Sequence, residues 1–370
     1  MPRRPLLAAA SLAVASLAWP ALAAAHGPAP HDPPTLAALA LGWHLDPVVA
    51  GSLIVAVVGW LLVVRRVSRL HPGRPVAIGR SAAFLGGLAT IAVALLSGIE
   101  RYDTTLFSVH MVQHLLLMLV AAPLIALAAP VTQLLRAASP GARRRWLIPA
   151  LHSPIVAAIG HPVVAWLAFT LVMWLSHFSP LFDLALEDEG VHRLEHGLFL
   201  ASALLFWWPA VAADPARRRL PYPVRALYLL LQVPVNSFLG MAITFAAAPL
   251  YPHYASLGTP YGITALADQQ LAGGIMWLAG DVVLIGAVLA VVAAWMRHDE
   301  RDAPAAERRA DAQRAAISER ADALARTKAG TKAGTKADHG WKDGATGATG
   351  PREAASPGGR GTAPGPRSRR

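Results

Sequence analysis

Residues Thr105–Ala129 read TLFSVHMVQHLLLMLVAAPLIALAA, twenty-five positions without one Asp, Glu, Lys or Arg. As a helix rising 1.5 Å per residue, such a run is about 37 Å long and crosses a hydrocarbon core of about 30 Å. Six further apolar stretches flank it, near Pro47–Val64, Ile78–Gly98, Ile155–Ser176, Val191–Ala213, Val224–Ala248 and Leu266–Met296. In lipid every backbone polar group must be satisfied within the segment, so the runs predict helices. Pro123, Pro162, Pro209 and Pro234 fall in or near them and predict kinks. The fold class this predicts is all-α, a polytopic membrane protein of seven transmembrane helices.

Composition agrees. Of 370 residues, 55% are hydrophobic and 15% charged, and 26 of the 55 charges lie in the 74 positions from Arg297 onward. The rest is too poor in charge to be the surface of a soluble domain of its size. The net charge of +11 is not a nucleic-acid signature, because the cations sit in short alternate loops or in the tail. The lipid bilayer is the partner that this pattern predicts, and nucleic acid is not. There is no cysteine, which excludes disulfides, thiolate metal sites and thiol catalysis.

The chain divides at its composition shifts. Residues 1–25, with Arg3 and Arg4, an apolar run from Leu6 to Leu17 and small residues at Ala21–Ala25, read as a cleavable signal peptide. Residues 26–46 form a proline-rich extended segment outside the membrane, 47–296 the seven-helix domain, and 297–370 a charged tail. Ala305–Arg326 in that tail is Ala-rich and can form a solvated helix. A Thr-Lys-Ala-Gly repeat and a Gly/Pro/Ser-rich end follow, where disorder is expected. Arginines fill alternate loops: Arg65, Arg66, Arg69, Arg74 and Arg80; Arg136 and Arg143–Arg145; Arg217–Arg219 and Arg225. The positive-inside rule puts these loops in the cytoplasm. The expected placement is a multi-pass protein of the plasma (cytoplasmic/inner) membrane with its N-terminus outside and its C-terminus inside.

Ionisable groups inside spans are costly and mark function. His110 and His114 of the third span stand at i, i+4, with Met118 at i+8 on the same stripe and Met111 beside it. His192 and His196 of the fifth span repeat the i, i+4 spacing and enter from the same face, where His177 closes the fourth span. The candidate metal ligands are therefore His110, His114, His192, His196, Met111 and Met118, with His177, Asp268 and Asp281 as further polar groups in or at the membrane. Imidazole with thioether suits copper, while imidazole with carboxylate suits zinc. A packing role for a single buried histidine stands beside both. No catalytic residue is assigned.

Several runs resemble one known family. They are Arg101-Tyr102-Asp103 with His110-Met111-Val112-Gln113-His114; His192…His196-Gly197-Leu198-Phe199-Leu200; Pro249-Leu250-Tyr251-Pro252; and Asp268-Gln269-Gln270-Leu271-Ala272-Gly273. Over roughly Asp46–Met296 the chain resembles the seven-helix CtaG-type cytochrome c oxidase assembly factors. The resemblance implies a binding protein without turnover, not an enzyme, that serves cytochrome c oxidase subunits and supports copper insertion. It also implies exchange with extracytoplasmic copper chaperones, and it matches His110, Met111, His114, His192, His196 and Asp268. The cysteine-dependent single-span chaperone that shares the name CtaG is excluded. Two alternatives stay open: a haem-binding redox protein, since paired histidines can ligate haem, and a copper transporter. A retinal photoreceptor is excluded, because no lysine precedes Lys328.

Overall fold

The computed structural model describes residues 31–215 and 219–342, all of whose regular elements are helices. The expected signal peptide lies outside the described residues. Eight helices organise the rest: α1 (Pro47–Leu70), α2 (Ile78–Tyr102), α3 (Phe107–Ala137), α4 (Pro162–His177), α5 (Leu181–Glu187), α6 (Glu189–Val211), α7 (Tyr222–Thr244) and α8 (Ala265–Lys342). Among the described residues six are long and apolar enough to cross a membrane: α1, α2, α3, α6, α7 and α8. The count becomes seven if α4 and α5, bent by 68° at their junction, form one broken span. The chain is a polytopic helical membrane protein.

Three local expectations change. The fourth span was expected from Ile155, but Pro154–Ile159 is a separate short helix and α4 begins at Pro162. Gly160 ends the first piece, and Pro162 disfavours helix at His161, whose side chain caps α4 instead. The segment before α1 is not wholly extended. Thr35 accepts from Ala38 N and starts a helix over Leu36–Leu41. In the tail, the unit from Asp299 onward is helical to Lys342, past the point where disorder was expected. Ala and Lys are good helix formers and offset the glycines of the repeat. Residues 343–370 lie outside the described residues.

The interior of the bundle centres on α3, which is broken into a π-helical turn over Leu116–Ala121 just after His114. Pro123 has no N–H to give, and Ala122 N–H reaches back five residues to Leu117 O. Met118 O is released from the usual ladder, and the Trp207 indole of α6 takes it at 2.8 Å. Met118 of this turn belongs to one apolar core with Phe107, Met111, Phe169, Phe199, Phe206 and Trp207.

Helices α7 and α8 touch backbone to backbone. A Cβ at Gly240 would lie 2.7 Å from Trp277 Cβ, and one at Gly273 would lie 2.7 Å from Thr244 N. Gly274 faces open space. Asp281 pairs across this contact, accepting from Asn236 Nδ2 at 3.0 Å and Ser237 Oγ at 2.6 Å. Its polar demand is met by the neighbouring helix. Two arginines, Arg219 of the loop after α6 and Arg225 of the first turn of α7, also have structural partners. Arg225 donates to Ala210 O at 2.7 Å and Val211 O at 2.9 Å, and Arg219 to Ala212 O at 3.1 Å, so they close the C-terminus of α6.

Candidate metal centre

The two His pairs meet. The His110 and His114 rings lie 4.2 Å apart, His192 and His196 4.3 Å, His110 and His192 5.3 Å, and His114 and His196 5.7 Å, centroid to centroid. The His177 ring is 6.4 Å from that of His114. Five imidazoles from α3, α4 and α6 thus form one buried cluster at the end of the bundle where α3 and α6 begin. The i, i+4 spacing put each pair on one helical face, and packing turned those faces together.

Carboxylates join them. Glu195 Oε2 lies 3.8 Å from His110 Nε2 and 3.9 Å from His114 Nε2, and neither Glu195 oxygen has a hydrogen-bond partner among the described residues. Asp103 Oδ2 is 3.7 Å from His192 Nε2. Burial pushes the Asp103 carboxyl well above the usual carboxylate range. Three groups bring one donor atom each to within 4.8 Å of one another: Asp103, His110 and His192; His110, His114 and Glu195; and Glu100, Asp103 and His196.

Hydrogen bonds fix ring orientation. Gln113 Nε2 donates to Ala94 O at 3.0 Å and to the Glu100 carboxylate, so its oxygen is the group facing His196 Nε2 at 3.1 Å. An amide oxygen only accepts, so the His196 proton sits on Nε2 and the lone pair is on Nδ1. His177 Nδ1 lies 2.7 Å from Met173 O and must carry the proton there. Its Nε2 lone pair is buried with no hydrogen-bond partner among the described residues. The separation of His110 Nε2 and His114 Nε2 is 2.8 Å. Two nitrogens about 2.0 Å from one shared ion, at a right angle, stand about 2.8 Å apart. The same distance is an N–H···N bond when no ion is bound.

Aromatic rings cover the cluster. Phe182 of α5 stacks near His110 and His177, at 5.0 and 5.5 Å, and Phe199 near His114 at 4.2 Å. Tyr251 and Tyr254 pack on Phe107, and their hydroxyls donate to His177 O and Asp103 O. Met111 and Met118 lie in the apolar interior with Phe169 and Phe206. Met118 falls within the π-helical turn that follows His114. Asp268 serves α3 from outside it. The Asp268 carboxylate accepts from Phe107 N at 2.6 Å, Ser108 N at 3.3 Å and Ser108 Oγ at 2.5 Å, capping the helix that carries His110. Asp281 sits in its α7–α8 network, bonded to Asn236 and Ser237.

Glu100, Asp103, Glu195 and Gln113 were not singled out as site residues from the sequence. Glu195 was visible as an acid inside a predicted span. Spacing along one helix could not pair it with His110 and His114, which lie on α3.

These features define a class: a helical membrane protein with a buried imidazole and carboxylate cluster at one end of its bundle. The family that matches residues 58–298 is the cytochrome c oxidase caa3 assembly factor family, and the chain belongs to it. An uncharacterized protein of Mycobacterium bovis is 32% identical over 287 residues, covering 76% of this chain and 43% of the relative. One from Mycobacterium leprae is 32% identical over 288 residues with the same shares. The chain thus spans less than half the length of these relatives. No solved structure matches it.

Proposed function

We propose that this protein supports copper insertion into a cytochrome c oxidase from the extracytoplasmic side of the cytoplasmic membrane, with copper as its cargo. The observation that carries the reading is the meeting of His110, His114, His192 and His196 with Glu195 and Asp103 in one buried cluster. Converging imidazoles with adjacent carboxylates form a metal-binding donor set. The residues that would hold the ion are His110, His114 and Glu195, with His192 and Asp103 adjacent. Zinc accepts the same donors, and family membership is what favours copper. Haem finds less support. The imidazoles stand 4.2 to 6.4 Å apart, centroid to centroid, packed against one another, and a macrocycle needs a clear plane between its axial ligands.

The partners are the oxidase subunits and, upstream, extracytoplasmic copper chaperones. A strain lacking the gene is expected to transcribe the oxidase subunits normally and to lose most cytochrome c oxidase activity, with partial rescue by added copper. Full activity in the absence of any second copy of the gene would refute the reading.

Orientation follows from the Arg-rich loops and puts the cluster outside the cytoplasm. A phosphatase reporter fused after Asp188 should be active, and one fused after Arg219 should be silent. The opposite pattern would place the cluster on the cytoplasmic side.

A further inference from the structure

The cluster has more donors than one ion uses. His110, His114, His177, His192 and His196 supply five imidazoles, and Glu100, Asp103 and Glu195 supply three carboxylates. An ion of zinc or copper in an imidazole and carboxylate site takes about four ligands. Both oxygens of Glu195 and of Asp103, and Nε2 of His177, are buried with no hydrogen-bond partner among the described residues, and folded proteins avoid such groups.

Two of the three donor groups are disjoint, and the third, Asp103, His110 and His192, joins them as neighbours. The group of His110, His114 and Glu195 shares no residue with the group of Glu100, Asp103 and His196, and each brings its donor atoms within 4.8 Å. His192 lies on the second side, 3.7 Å from Asp103. His177, next to His114, has its lone pair on a buried Nε2 with no hydrogen-bond partner among the described residues. The nearby guanidinium of Arg193 is paired with Asp46 at 3.2 Å and with Glu189.

We infer that the cluster is a two-ion centre, with one position built from His110, His114 and Glu195 and a second from Glu100, Asp103 and His196. This rests on the metal-binding reading above. The two positions differ in chemistry. The first is rich in imidazole and fully buried. The second is rich in oxygen, and Glu100, its one half-buried member, puts it on the more accessible side. Softer ions favour nitrogen donors and harder ones favour oxygen, so the positions fill in sequence rather than together.

The test uses purified full-length protein loaded with Cu(II), freed of loose ions and measured for copper per chain by mass spectrometry and for spin coupling by electron paramagnetic resonance. The wild type should retain two equivalents, with a half-field signal from two neighbouring Cu(II) ions. His110→Ala with Glu195→Gln should retain one equivalent, as should Glu100→Gln with Asp103→Asn, and both should lose the coupled signal. Circular dichroism and size-exclusion profiles would confirm that both variants are folded. One equivalent in the wild type overturns the two-ion centre and leaves the metal-binding reading intact. So does complete loss in either folded variant, because that marks one shared site. Zero equivalents in the wild type overturns both.

Discussion

Alanine at His110 and His114 together is expected to lower retained copper by half or more and to reduce oxidase activity in the host to the level of a gene deletion. Both imidazoles come from consecutive turns of α3, and their Nε2 atoms stand 2.8 Å apart with Glu195 Oε2 within 3.9 Å of each. Without them only Glu195 remains of that group, and one carboxylate oxygen does not hold an ion against water. The rings lie at the start of α3, ahead of the π-turn and the packing around Trp207. The fold should therefore survive, and helicity should be unchanged. Retention by the wild type should also fall as pH is lowered, since a proton competes with the ion for the same lone pair. Wild-type copper retention and wild-type oxidase activity in the folded double variant would move the site elsewhere.

Asp268→Ala is expected to cost about 3 kcal/mol of stability and to weaken copper retention, although Asp268 belongs to none of the three donor groups. The carboxylate accepts from two backbone N–H groups and one hydroxyl at the first turn of α3. Leu106, the residue before that turn, provides no side-chain cap of its own. A helix start has N–H groups without intrahelical partners, and each buried donor left unmade costs about 1–3 kcal/mol. His110 lies two residues after Ser108, so fraying there displaces the first ligand. Asp268→Asn keeps one accepting oxygen and should fall between the wild type and the alanine variant. Thermal unfolding in detergent, with copper retention measured in parallel, checks both effects. An Asp268→Ala protein with the wild-type midpoint would show that α3 holds its first turn without the cap.

Much of this was legible in the chain because membranes impose one-dimensional rules. Helix length must match bilayer thickness, loop charge tracks orientation, and an ionisable residue in an apolar run stands out. Those rules gave the helical spans and the two His pairs. They did not show the break at Gly160–Pro162, because a proline at a helix start and a proline in a kinked span look alike in sequence. They did not show the π-helical turn that holds Met118 either. An i+8 stripe assumes an unbroken α-helix, and the turn before Pro123 is π-helical.

What the sequence by itself determined is the membrane architecture and the face of each helix on which imidazoles lie, since both depend on spacing along one segment. What only the tertiary structure decided is which carboxylates accompany them. Asp103 meets His192 from the α2–α3 junction, Glu195 meets His110 and His114 across a helix contact, and Asp268 caps α3 from 160 residues away. The physical reason is that a metal site is a coincidence of donor atoms within a few ångströms, and helix packing sets that coincidence between positions no local pattern relates.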